Sequence, residues 1–600
     1  MRLFRIAERK IAERTGQGIV CFISNFSYLS DPSFVVMRQR FLKEFDTLWF
    51  DCLNGDSRET GKLTPEGKPD PSVFSTETNR EGIRVGTAIG LFCRKLVRGK
   101  AQRVRYRDFW GTTKREELAE SLKATKFEKE YFAAKPSEAN RFSFRPSRVA
   151  GDYLSWPKAI ELAGQAPISG LQEMRHGTLM AMDQETLGRR MVAYFDESIE
   201  WDELKRSEAG PTVDGGRFVA KEARKKLMAA ESYRAAQIVR YALYPLDLRW
   251  AYHSTTRPLW NEPRPALAAQ HWKGNKFFVT RMFAERPNEQ VPVFVTSALP
   301  DYHLLRPNAV AIPFQIRVAA ASKPKRKDDG NGEFGSILEE AAPAYKAGAG
   351  KTTANLSPAA RAYLAKLGIQ KPDAEADTAA LIWLHALAIG YAPAYLTENA
   401  DGVRQDWPRI PLPASKAGLL ASADLGRQVA ALLDTETPVP GVTDRKLRPE
   451  LKAVADLRCT GSPDFHISAG WGHGGNGGVT MPGKGKMLTR GYRPEEELEK
   501  PLLELLGKTT HDIYLNDTAY WRNVPENVWD YTIGGYQVLK KWLSYREHAL
   551  LGRALTTEEV REVTHIARRL AALILLQPEL DANYQRVKAA THDWQPRANH

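Results

Sequence analysis

The run GIVCFIS, Gly18 to Ser24, carries no charge and no alternation of polar with apolar residues. Such a run expects a neighbouring strand on each side and cover on both faces, the pattern of a parallel strand inside an α/β sheet. Before it stands one charged helix, with Phe4, Ile6, Ala7 and Ile11 on one side and Gly16 and Gly18 ending it. After it, Phe34, Met37, Phe41 and Phe45 recur at helical spacing. The strand DTLWFDCL, a polar excursion rich in Gly, Pro and Asp, and a further strand in RVGTAIGLFCRK come next. Strand, helix, strand, long loop and strand make one side of an open α/β sheet. The strands for the other side are not found ahead of GIVCFIS, which leaves an apolar edge that invites pairing.

Six hundred residues exceed one core, so several domains are expected. No run approaches eighteen apolar residues, and the charged N-terminus lacks the pattern of a signal peptide, so a cytoplasmic protein with no membrane span is expected. Cys21, Cys52, Cys93 and Cys459 are far apart and are read as small buried hydrophobes. No paired Cys or His stands at ligand spacing, and His466 and His473 lack partners, so no metal site is expected. AGAGKTT, Ala347 to Thr353, ends like a phosphate-binding loop but has Tyr345 where the pattern needs Gly, and no strand ahead of it. The formal charge of +14 points instead to a polyanionic partner, with DNA or RNA first.

Composition divides the chain further. A sheet region spans 1–110, a helical connector 111–140, and a mixed, aromatic and Pro-punctuated α/β region 141–320. SKPKRKDDGNGEFG lies in a linker or exposed loop over 321–355. A helical and Gly-rich part covers 356–490, and a helical C-terminal region 491–600. The last helix opens with a capping box, Thr556 with Glu559, and is expected to close before Pro578.

Charged and aromatic residues alternate around two prolines at Asp247, Arg249, Trp250, Tyr252, Arg257, Trp260 and Arg264. A surface of that kind can set guanidinium groups on phosphates or on guanine edges, although at least one Trp is expected in the core. Asn275, Lys276 and Arg281 straddle FFVT and suit the edge of a groove. Arg58 and Lys62 can meet phosphate or simply be solvated. Asp301, Tyr302 and His303 have no nucleophile beside them and read as structural or contact residues. Lys540 and Lys541 are expected on an exposed helix face, where Lys540 can touch phosphate.

The segments Gly16–Leu29, Met37–Asp46, Leu53–Phe74 and Val85–Phe92, with YRDFWG after them, resemble the end of the catalytic domain in type ISP restriction–modification enzymes. LQEMRHGTLMAMD, YPLDLRWAYHSTTRPLWNEPRP, GNKFFVTR, VFVTSALPDYHLL and DYTIGGYQVLKKWLSYR resemble that family's specificity region, in the same order. The resemblance is weakest over about 320–450. It implies a partial Rossmann-like methyltransferase sheet (last strands only), then a mixed α/β target-recognition domain and a helical C-terminal region. It implies adenine-N6 DNA methylation with S-adenosylmethionine as cofactor, double-stranded DNA as partner, and a role in restriction–modification or phage defence.

By the same resemblance Asn25 and Tyr28 would border the substrate adenine, while Arg175 and His176 would open the recognition region beside DNA. The family's Gly-rich cofactor loop and its Asn-Pro-Pro-Tyr motif have no counterpart here. The chain alone is therefore expected to be catalytically incomplete, with no catalytic residue of its own, and to work with an upstream methyltransferase half. Two readings stay open beside this one: a stand-alone DNA-binding specificity subunit, and an RNA- or nucleotide-handling protein with a degenerate sheet.

Overall fold

The computed structural model describes residues 2–57, 60–64, 68–98, 103–123, 125, 127–146, 149–207, 210–284, 289–306, 308–317, 351–474 and 480–594. The chain forms two compact units. The first comprises 1–155 with 282–288 and 397–407; the second comprises 156–281, 289–396 and 408–600. Most of the expected linker over 321–355 lies outside the described residues.

The first unit is built on a five-stranded sheet in the order β1-β3-β2-β4-β5. Its strands are β1 (Gly18–Asn25), β2 (Thr47–Asn54), β3 (Thr87–Arg94), β4 (Arg103–Asp108) and β5 (Phe132–Ala134). Helix α1 (Arg2–Glu8) precedes β1, and α2 (Val35–Glu44) crosses from β1 to β2. Its apolar positions bury Phe41 against Phe4 and Phe92, with ring centroids 5.7 and 4.8 Å apart. These rings and Phe50 form the core on one face of the sheet.

The expectation of a parallel, fully covered first strand needs correction. After the polar excursion the chain enters β3 antiparallel to both β1 and β2, so β3 occupies the slot between them. Strand β1 is an end strand among the described residues. Among the described residues one of its faces is covered: Val20 is buried, whereas Ile19 is 65% and Ile23 50% exposed, and Cys21 between them is exposed too. In the connector after β4 the α-helix spans Lys114–Ser121, and single helical turns follow at Phe127–Glu130 and Glu138–Asn140.

The second unit is mixed α/β with several sheets. One has the order β11-β10-β13-β6, with β6 (Ile168–Ser169), β10 (Phe277–Thr280), β11 (Val293–Thr296) and β13 (Val310–Pro313). Another has the order β12-β8-β9-β7, with β7 (Met180–Ala181), β8 (Ile238–Tyr244), β9 (Asp247–Tyr252) and β12 (Leu299–Pro300). Helix Ala376–Gly390 is apolar all round and buried from Ala379 onward, as a helix inside a core must be. It meets helix Lys416–Leu433 so closely that a Cβ at Gly426 would lie 1.9 Å from the Leu384 carbonyl oxygen.

The last helix, Thr557–Ala589, has the expected capping box but runs straight through Pro578. Burial of Leu580, Asn583, Tyr584 and Val587 beyond the proline holds it helical, outweighing the lost backbone hydrogen bond. Among the described residues no helix is long and apolar enough to cross a membrane.

Candidate nucleic-acid interface

Three loops of the second unit meet at one surface. The first, 173–177, leaves β6 and leads to β7. Its buried Glu173 accepts the backbone N–H of Gly177 at 2.8 Å and of Leu179 at 2.9 Å. Burial pushes this carboxyl above its ordinary pKa, against those hydrogen bonds. The next charged residue, Arg175, is buried as well. Its guanidinium donates to the carbonyls of Leu259 (3.1 Å), Pro258 (2.6 Å) and Gly215, and lies over the Phe218 ring.

The second loop is the turn DGGRF, Asp214 to Phe218, closed by paired backbone bonds between Gly215 and Phe218. A Cβ at Gly215 would stand 2.6 Å from the Met174 carbonyl oxygen, so glycine is what lets the two loops touch. His176 Nε2 donates to the Asp214 carbonyl at 3.1 Å, and Asp214 accepts the N–H that starts helix Ala220–Ala230.

The third loop is 257–264. It is stitched to the first by backbone bonds between Glu262 and Gln172 and from Asn261 to Glu173. The Glu262 carboxylate gathers Arg217, Arg257 (3.2 Å) and Arg264 (3.6 Å). Glu262 is itself buried, whereas Arg217 and Arg257 reach solvent, and pairs open to solvent on one side contribute little to stability. One carboxylate among three guanidiniums instead leaves the surface positive. Lys221, Lys225 and Lys226 project from the helix that follows the second loop and are exposed, so the charge continues along it. Such a surface suits a polyanion.

The structure therefore brings together His176, Arg257 and Arg264 from the sequence expectation. Tyr302 joins their margin: its N–H donates to the Leu171 carbonyl, and burial raises its phenol while nearby Arg264 opposes the shift. Met174, Arg217 and Lys221 belong to the same surface and were not anticipated. The double glycine of DGGRF, which forces a tight turn ahead of a basic helix, was the available signal.

Other expected contact residues have internal partners, which corrects the idea that they form an exposed surface. Arg175 braces the loops through the Leu259 and Pro258 carbonyls. Arg249 is buried in a bidentate pair with Asp247 (2.8 and 2.9 Å), which also binds Arg546 at 2.8 Å. Tyr252 is fully buried and accepts the Arg234 N–H. Asn275 ties Gln270 to Gln315, and Arg281 is buried against Glu289. Lys276 and Lys540 are half-buried. Lys541, expected at the surface, is buried among Tyr244, Tyr536 and Tyr545. Arg58 lies outside the described residues.

In the first unit a cavity of about 230 Å³ opens where β1 ends, lined by Phe26, Ser27, Ser30, Asp31, Arg145 and Gln405 among others. Arg145 stands over the Phe26 ring at 4.5 Å, and buried Gln405 Oε1 has no hydrogen-bond partner among the described residues. Asn25 and Tyr28 do not line this cavity. Asn25 caps the turn through the N–H and hydroxyl of Ser27, and Tyr28 packs in the core against Phe4 and Phe50. Among the described residues no cluster of His, Cys, Asp or Glu could hold a metal ion.

Sequence comparison gives this fold, with its several mixed sheets, helical end and braced basic surface, a family. Residues 168–569 match the Type ISP C-terminal specificity domain, and the chain belongs to that family. The fold is similar to that of the Type ISP restriction–modification enzyme LlaGI, solved as a nuclease-deletion mutant with a DNA substrate mimic. There the TM-score is 0.55 at 15% identity over 97% of this chain and 47% of the other. It is similar too to the ATP-dependent Type ISP enzyme LlaBIII bound to DNA, with TM-score 0.57 at 13% identity over 97% and 33%. A DrdV–DNA complex gives 0.55 at 16% identity over 97% and 51%. This chain thus spans a third to a half of the length of those structures. No curated protein matches it in sequence.

Proposed function

We propose that this chain recognises a DNA sequence on behalf of a restriction–modification enzyme, through the three-loop surface of its second unit. The match of residues 168–569 to the specificity family carries this reading, because all three loops fall inside it. The LlaGI, LlaBIII and DrdV structures, which contain DNA or its mimic, support it. The same reading makes the first unit the last strands of an adenine-N6 methyltransferase sheet. Strands β1 and β2 run parallel, joined by helix α2, with β3 inserted antiparallel between them. Further strands supplied by a methyltransferase partner would add at the open edge of β1. A phage-defence role follows from the class of enzyme.

S-adenosylmethionine is the cofactor of that chemistry, and the described residues do not fit it. The turn that leaves β1 has no glycine, and the backbone N–H groups of Gly55 and Gly86 are taken by Asp70 and Asp56. The chain is proposed to transfer no methyl group alone. That mismatch also favours the second reading, a DNA-binding specificity subunit without chemistry of its own.

Fluorescence anisotropy with labelled duplex DNA tests the shared core of both. Binding should need no cofactor and weaken steeply with salt; contact with about five phosphates gives a log–log slope of roughly −4 to −5. A flat response, or a preference for RNA, would refute it. Labelled S-adenosylmethionine with mixed-sequence DNA tests the rest: methyl incorporation by the chain alone, free of host methyltransferases, would overturn the inactivity.

A further inference from the structure

Met174, on the first of the three loops and in contact with the second, has a conformation that costs energy. Its φ is +50°, and that of His176 two residues on is +57°. Residues other than glycine rarely adopt this left-handed region, and they persist there only when their surroundings over-determine them. The surroundings here do so. Glu173 and Arg175, on either side, are buried: the Glu173 carboxylate accepts the N–H groups of Gly177 and Leu179 within its own segment, and Arg175 donates to carbonyls of the third loop. The residue held in place by all this bracing is not itself buried: the Met174 side chain is 53% exposed. A thioether projects into water from a braced loop that packs against the Gly215–Gly216 turn leading into Arg217, and Arg217 and Arg257, both paired to Glu262, suit the same surface to a polyanion.

We infer that Met174 is a specificity-determining residue, making an apolar contact with a base of the duplex bound on this surface. The inference rests on the DNA-recognition reading above. Phosphate and sugar offer an exposed thioether little, whereas a DNA duplex presents apolar surface in two places. One is the thymine methyl in the major groove, and the other is a base face opened at an unstacked step. The arginines hold the duplex without reading it, and Met174 reads it. A flexible side chain on a mobile loop could not enforce one register. The clamp from Glu173 and Arg175 fixes its Cα and so the base it meets.

The experiment compares the full chain with Met174→Ala and Met174→Leu, each selecting from a randomised duplex pool, with affinity for unselected duplex measured alongside. The prediction is that Met174→Ala loses about tenfold in preference at one position, with affinity for unselected duplex falling less than the preference does, and that Met174→Leu retains the preference. Replacing thymine by uracil at that position, or probing it with 2-aminopurine, tells a methyl contact from an unstacked step; either supports the inference. A Met174→Ala chain that selects the same sequences as strongly as wild type overturns it. A fully folded wild-type chain that binds no duplex overturns the recognition reading instead. Thermal unfolding of each variant separates these outcomes from misfolding, and Met174→Gly, which relieves the left-handed strain, gives a folded control with the same expected loss.

Discussion

Strand β1 of the first unit and strand β10 of the second are both written in uncharged, branched or aromatic residues. Phe277 to Thr280 in β10 are all buried, between β11 and β13 on its two edges. In β1 one edge pairs with β3, and Ile19, Cys21 and Ile23 face solvent. The same vocabulary thus gives a finished core strand in one unit and a half-covered end strand in the other. What differs is the neighbours. Apolar surface contributes roughly 25 cal/mol per Å² only where something covers it, and an uncovered apolar edge invites association.

The largest expected effect lies on the finished side. Asp247→Ala would leave Arg249 and Arg546 buried without their carboxylate, costing about 3–5 kcal/mol, read by chemical denaturation of the second unit. Burial alone would raise the Asp247 carboxyl, but Arg249 and Arg546 hold it well below the usual carboxylate range. A depressed folded pKa contributes stability that is present above the unfolded value of about 3.9 and is lost as pH falls through the folded value. Asp247→Asn should therefore flatten the acid limb of the stability profile as well as lower it. Next in size, Gly426→Ala would force apart two helices that have no room for a Cβ, at a cost of about 1–3 kcal/mol.

On the unfinished side, hydrogen exchange should find amides of β1 opening about a hundredfold faster than those of β10, with alternate residues of β1 unprotected for want of a second partner strand. Equal protection of Ile19–Ile23 and Phe277–Thr280 in a monomeric chain would erase the contrast. Smallest of all, Ile19→Lys and Ile23→Lys should change stability by no more than about 0.5 kcal/mol. Their effect should show in reduced self-association by light scattering. A large loss of stability would mean that β1 is covered after all.

The apolar character of β1 and its helix–strand sequel were legible because they are local. That β3 would enter antiparallel between β1 and β2 was not, since the slot depends on a strand that returns after a long excursion. The final helix could be read up to its capping box, but its passage through Pro578 is decided by Leu580 and Tyr584 finding a core. At the candidate interface, Arg257 and Arg264 could be picked from the charged and aromatic pattern, and His176 from the family resemblance. Arg249 looked alike in sequence and proved internal, because Asp247 and Arg546, the latter from far along the chain, enclose it. Met174 and Arg217 were missed because their placement depends on loops packing against one another.

If the second unit meets DNA through the loops around Glu262, the salt dependence of binding must change with the arginines held there. Duplex affinity would be measured from low to high salt for the wild-type chain and for Arg217→Ala/Arg257→Ala. Each arginine that meets a phosphate adds about 0.9 to the log–log slope, so the double variant should bind more weakly with a slope shallower by about 2. Parallel lines, with the variant folded and its affinity unchanged, would place the DNA elsewhere on the protein.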